Sequence, residues 1–175
     1  AGKATAELAI QLLGNHYTVL VLAGPGNNGG DAMVAARYLR KQDYRVDVVL
    51  MGDPAKLPAD AAAALQAWIA AGGELSSSIP ADRRWDLVID GLFGIGLVRD
   101  LSGPYLELVK QVNHMTTPVL SLDIPSGLDS ETGQPFRAAI RADHTLTFIG
   151  LKPGLFTAYG PDYCGQIHLD TLDVP

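Results

Sequence analysis

The sequence predicts an α/β fold, a mostly parallel sheet with helices on both faces. Three observations predict it. Short continuous runs rich in Val, Leu and Ile, of the kind covered on both faces in a parallel sheet, recur along the chain. They alternate at short spacing with segments of helical periodicity, as strand–helix–strand crossovers require. Clusters of glycine and polar residues at 24–31, 90–97 and 123–129 each follow one of the apolar runs. Parallel strands carry their C-terminal loops to one side, so clusters far apart in sequence converge on one rim, where such sheets bind ligands.

Each element has its own justification. Residues 4–13 read as a helix with Leu8 and Leu12 on one face and Gly14 as its cap. Residues 18–22 form the first strand. A helix follows over 32–40, with Met33, Ala36, Arg37 and Leu39. The next strand is 45–51, and an alanine-rich helix over 58–71 ends at Gly72-Gly73. The third strand is 85–90. Pro104 is permitted in the first turn of a helix over 104–114. Strands over 119–124, 144–149 and 166–169 complete the set, the last at an edge, and 131–142 reads as an extended loop.

The totals narrow the function classes. The chain has 175 residues, 47% apolar and 18% charged, which suits one domain with a substantial core. A formal charge of −6 without a basic stripe speaks against nucleic-acid binding. No apolar run reaches the ~18 residues of a membrane span, and no basic-then-apolar leader opens the chain. Cys164 is alone, so no disulfide framework or thiolate metal site is expected, and a reducing, cytoplasmic setting fits. His16, His114, His144 and His168 show no ligand spacing. The chain starts without Met inside an apparent helix and stops in a strand-like run, which reads as a domain taken from a longer protein.

The first cluster, Gly24-Pro25-Gly26-Asn27-Asn28-Gly29-Gly30-Asp31, leads into a helix whose free N–H groups and positive dipole end favour an anion. Gly24, Gly26 and Gly29 satisfy G-x-G-x-x-G, the fingerprint of dinucleotide-binding dehydrogenases. Pro25 removes an N–H from that turn, and Asn27 and Asn28 add side-chain amides that a plain phosphate turn does not need. A strand-to-helix turn with Asx capping is the plainer reading of the same residues. A dehydrogenase would also need a substrate domain, for which 175 residues leave little room.

Asp90 ends an apolar strand, where a carboxylate is costly unless paired or coordinating. It reads either as a cap or charge partner, or, with Asn28 and Ser126, as part of an all-oxygen set suited to an alkali or alkaline-earth ion. Gly94-Ile95-Gly96-Leu97-Val98-Arg99-Asp100 can wrap a second phosphate or a ribose, with Arg99 pairing an anion; a solvated Arg–Asp surface loop is the alternative. Asp123 stands at the carboxyl end of the fourth strand, as a general acid/base or as a turn-stabilising aspartate. Lys152, after the fifth strand, brings a cation to the same rim or is solvated.

Taken together, Val21 to Ala32, Asp90 to Leu97 and Asp123 to Leu128, with the later Phe148-Gly150-Lys152-Pro153-Gly154 region, resemble the YjeF N-terminal domain family, the NAD(P)H-hydrate epimerases. The resemblance covers essentially the whole chain in order, and implies a single domain over 1–175 with a Rossmann-like three-layer α/β/α sandwich, often dimeric. It implies interconversion of the R and S forms of NADHX and NADPHX, nicotinamide nucleotides hydrated at C6 of the reduced ring. One potassium ion per subunit is implied, on Asn28, Asp90 and Ser126. Substrate contacts are implied for Asn27, Asn28, Gly29, Gly30 and Asp31, for Gly94, Ile95, Gly96, Leu97, Val98, Arg99 and Asp100, and for Asp123. Bacterial members are commonly fused to an ATP- or ADP-dependent dehydratase, the implied partner. A non-catalytic nucleotide-binding or scaffold module of the same fold is the alternative; intact Asn28, Asp90, Asp123 and Ser126 speak against it.

Overall fold

A computed structural model describes residues 1–97 and 99–173. In chain order the elements are α1 (Gly2–Leu13), β1 (Thr18–Ala23), α2 (Asn27–Lys41), β2 (Arg45–Leu50), α3 (Ala59–Ala70), β3 (Leu75–Ser76), β4 (Leu87–Gly91), α4 (Gly103–His114), β5 (Val119–Leu122), β6 (His144–Phe148), α5 (Gly160–Cys164) and β7 (Gln166–Asp170). The strands form one sheet in the order β3-β2-β1-β4-β5-β6-β7, and every pairing is parallel.

The chain builds outward from β1 to β3, then returns to the other side of β1 to lay down β4 to β7. The order therefore switches between β1 and β4, and a crevice opens at their carboxyl ends. Both faces of β1 are buried. Val19, Val21 and Ala23 pack with Ala6, Ala9 and Leu13 of α1 and with Met33, Ala36 and Leu39 of α2. Leu20 and Leu22 face the opposite layer, with Leu106, Val109 and Val112 of α4. A fully buried Leu or Val contributes about 1.5–3 kcal/mol, so these two layers hold the rim in place.

The predicted α/β class holds, and the sheet is parallel throughout the described residues. Two elements escaped the sequence reading. β3 has two residues, too few for a periodic pattern, and α5 has five, started by Pro161 in its first turn. The fourth strand stops at Leu122 rather than 124, because Asp123 takes a left-handed φ of 68°. The helix expected over 32–40 begins instead at Asn27, so Asn27 to Gly30 are its first turn and not a loop before it.

Close packing accounts for that early start. Gly24 follows β1 directly, and a Cβ there would fall 1.7 Å from the Leu92 carbonyl oxygen. A Cβ on Gly29 would lie 2.1 Å from the carbonyl oxygen of Gly24, and one on Gly30 2.9 Å from the Ala61 Cα of α3. The helix thus seats its first turn directly on the β1–β4 crevice. Among the described residues no helix is long and apolar enough to cross a membrane.

Gly24→Ala should destabilise the fold by about 1–3 kcal/mol or more through overpacking. Gly26→Ala is the control, since its φ of −111° is ordinary and nothing lies within 4 Å of a Cβ there. Urea unfolding of the two variants measures the difference; equal midpoints would contradict the packing argument.

Candidate functional site

A cleft of about 1380 Å³ lies at the carboxyl ends of the strands. Its lining includes Asn27, Asn28 and Asp31 of α2, then Gly94, Ile95, Gly96 and Leu97, with Arg99 and Asp100 beyond them, and Asp123 and Lys152. Four segments separated in sequence thus meet on one rim. The first amides of α2 open toward it, because the leading N–H groups of a helix have no intrahelical partner. Asn28 is anchored there by its side-chain Nδ2, which donates to the Leu122 carbonyl at 3.4 Å.

Asp123 is the most constrained residue of the rim. Its left-handed backbone is uncommon for a residue with a side chain and costs roughly 1–3 kcal/mol. The cost is offset by a backbone bond from its N–H to the Leu146 carbonyl, 2.6 Å, and by the bonds to its carboxylate. Oδ1 accepts from Lys152 Nζ at 2.5 Å, Thr147 Oγ1 at 3.2 Å and the Phe148 N–H at 3.3 Å. Lys152 Nζ also donates to Thr147 Oγ1 and to the carbonyls of Phe148 and Gly150. Both side chains are mostly buried, 16% exposed for Lys152 and 18% for Asp123. Ile149, between these groups, is itself left-handed at φ 67°, a strained conformation for a β-branched residue. Among the described residues Oδ2 of Asp123 receives no hydrogen bond, which leaves it for a ligand.

Beneath the rim lies Asp90, fully buried. Its Oδ1 accepts from Ser126 Oγ at 2.6 Å and from the Leu92 N–H at 3.3 Å. Its Oδ2 accepts from Ser121 Oγ at 2.6 Å and from the Ser126 N–H at 2.9 Å. Burial pushes its carboxyl above the usual range, and the hydroxyl and amide donors oppose that rise. Among the described residues no Lys, Arg or His lies within 4 Å of it. The neighbouring oxygens are those of Ser126, of Asn28, whose carbonyl would sit 3.1 Å from a Cβ on Gly91, and of Phe93, whose carbonyl accepts from Ser126 Oγ at 3.3 Å. An all-oxygen set around one buried carboxylate could hold a hard alkali or alkaline-earth cation.

The expected site residues take different positions relative to the cleft. Gly29 and Gly30 do not line the cleft; they are buried where α2 packs on Gly24 and on α3. Asp90 and Ser126 lie below the cleft floor. Arg99 and Asp100 line the exposed edge of the cleft, and among the described residues they form no ion pair with each other. Val98 lies outside the described residues. The sequence reading missed the aromatic pair Phe93–Tyr105 on the cleft wall, centroids 5.0 Å apart. It also missed Ile149 and Leu151, which line the cleft while remaining exposed. An exposed apolar pair flanking a glycine was the available signal for the latter.

The sequence model for the YjeF-related protein N-terminus matches residues 1–154. A Bordetella bronchiseptica protein named NAD(P)H-hydrate epimerase is 49% identical over 176 residues, covering 98% of this chain and 77% of the relative. A Leishmania major protein named bifunctional NAD(P)H-hydrate repair enzyme is 41% identical, covering 98% of this chain but 32% of the relative. The crystal structure of yeast ynu0 superposes with a TM-score of 0.80 at 19% identity, over 96% of this chain and 74% of that one, which establishes the likeness of fold.

Asp90→Ala should lower stability by at least about 2 kcal/mol, since it strands the Ser121 and Ser126 hydroxyls and the Ser126 N–H in the interior. Asp90→Asn, which keeps the shape and one acceptor, should cost less. Denaturant midpoints of the three proteins test the order; an alanine variant as stable as the parent would refute it.

Proposed function

This chain belongs to the YjeF-related protein N-terminus family, and we propose that it epimerises the R and S forms of NADHX and NADPHX in metabolite repair. The observation that carries the catalytic part of the reading is Asp123, held in a left-handed backbone at the cleft with Oδ1 tied to Lys152 and Oδ2 open. C6 of the hydrate carries a hydroxyl beside the ring nitrogen. Protonation of that hydroxyl expels water and leaves a planar, iminium-type carbon; water returning to the other face inverts it. Asp123 exchanges the proton at the reacting oxygen. Such general acid–base assistance contributes typically about 10²–10⁴-fold.

The remaining parts of the cleft have roles in the same reading. Asn27, Asn28 and the first amides of α2 take a phosphate, and Gly94 to Asp100 wrap the rest of the dinucleotide, with Arg99 beside its charge. Asn28, Asp90 and Ser126 would hold a potassium ion, which when bound would balance the Asp90 charge and fix the three loops against one another. Residues 1–175 form one epimerase domain in the cytoplasm, and a second copy and an ADP- or ATP-dependent dehydratase, which consumes the S form, are its partners.

Asp123→Asn should lower turnover about 10²–10⁴-fold with folding retained. The assay is recovery of NADH from R-NADHX in the presence of an S-specific dehydratase and ATP. Unchanged turnover would remove Asp123 from the role, and recovery confined to the S form in the parent protein would make the chain a binder rather than an enzyme. Potassium chloride should raise the melting temperature above that in sodium chloride at equal ionic strength, and Asp90→Asn should abolish the difference; identical melting in both salts would refute the cation site.

A further inference from the structure

We propose that Asp31 is a second catalytic carboxyl of the same cleft, Asp31 and Asp123 each serving one face of the reacting carbon, with Lys152 holding Asp123 in place. The inference rests on the epimerase reading and extends it. Both carboxyls line the cleft but arrive from different elements, Asp31 as the fifth residue of α2 and Asp123 from the end of β5. Inversion requires oxygen to leave one face and water to arrive at the opposite one. Asp123 cannot swing between the two, because three donors immobilise Oδ1.

The two environments divide the roles. Asp123 has an ammonium partner at 2.5 Å. Asp31 makes no ion pair with any described Lys, Arg or His and no side-chain hydrogen bond among the described residues. Burial holds its carboxyl above the usual range, and the negative charges of Asp123 and Asp60 push the same way. Asp123 is thus pinned by its partners, while the Asp31 carboxyl is held by none of the described side chains.

The step balances over the pair. Asp31 gives its proton to the C6 hydroxyl oxygen; the C6–O bond breaks, its electrons leaving with water, and the ring-nitrogen lone pair forms C6=N. Water then adds from the other face, its lone pair making the new C6–O bond while the π pair returns to nitrogen, and its proton passes to Asp123. One proton has moved from Asp31 to Asp123, nothing is oxidised, and the reverse epimerisation or exchange with solvent resets the pair.

The test measures kcat and KM of Asp31→Asn and Asp31→Ser on R-NADHX in the coupled assay, using whichever keeps the parent melting temperature. The expected result is a fall in kcat of about 100-fold or more with KM changed by less than about threefold, and partial return of turnover to Asp31→Ser on adding formate. A folded variant with kcat within about threefold of the parent, or a loss confined to KM, would overturn the assignment. A parent protein without activity on R-NADHX would overturn the epimerase reading itself; an active parent with an unaffected Asp31 variant sinks only this inference.

Discussion

The buried carboxylate of Asp90 is the constraint around which the rim is organised. It ends β4, next to the point where the strand order switches, and takes four hydrogen bonds. Those bonds join β4 to Ser121 of β5 and to the Ser126 turn, while the Ser126 hydroxyl also accepts from the Phe93 N–H. A single side chain thereby locks the second and third loops of the rim together. Hydrogen bonds alone satisfy its oxygens but do not neutralise its charge. That imbalance in a dry interior would be expensive in a protein whose only concern was stability. The potassium ion proposed for this position would balance it.

Strain tells a parallel story one strand further along. Asp123 and Ile149 both hold positive φ, and the Lys152 ammonium bonds the Asp123 carboxylate and the carbonyls on either side of Ile149, those of Phe148 and Gly150. β5 ends at this height while β6 runs on: the Asp123 N–H makes the last ladder bond, to the Leu146 carbonyl, and the Phe148 N–H of β6 bonds the Asp123 carboxylate where a further strand carbonyl would have stood. Ending the ladder early turns a core-facing strand position into a cleft-facing one. Position 123 is thus aimed by its backbone, and its rotamer is fixed by the lysine.

Much of this was legible in the sequence because it follows from rules local to each segment. Apolar runs such as 18–22 are long and unbroken, and their alternation with helical patterns dictates a parallel sheet whose loops share one side. That reasoning alone brings residues 28, 90, 123 and 126 together. What was illegible depends on contacts across the fold. Gly29 and Gly30 look like flexible loop residues in a string of glycines, yet they are packing residues at helix–strand and helix–helix contacts. No pattern of period two or 3.6 announces a two-residue strand such as β3, and none pairs Phe93 with Tyr105 from the next helix. The Lys152–Asp123 bond spans 29 residues, and only its position after a strand hinted at it.

An acidic chain that handles an anionic dinucleotide must obtain its attraction from something other than net charge. A formal charge of −6 offers such a ligand no net attraction at long range. Local dipoles take its place: the open amides of α2, aimed at the cleft by the Gly24 and Gly29 packing, with the Asn27 and Asn28 amides beside them. Full positive charges are used sparingly, Lys152 being neutralised by Asp123 and Arg99 standing outside the buried part of the cleft. Fixed dipoles carry no counterion to displace and do not attract nucleic acid indiscriminately. They act only on a ligand already seated at the β1–β4 crevice, so discrimination falls to the shape of the cleft and to the carboxyl chemistry at its rim.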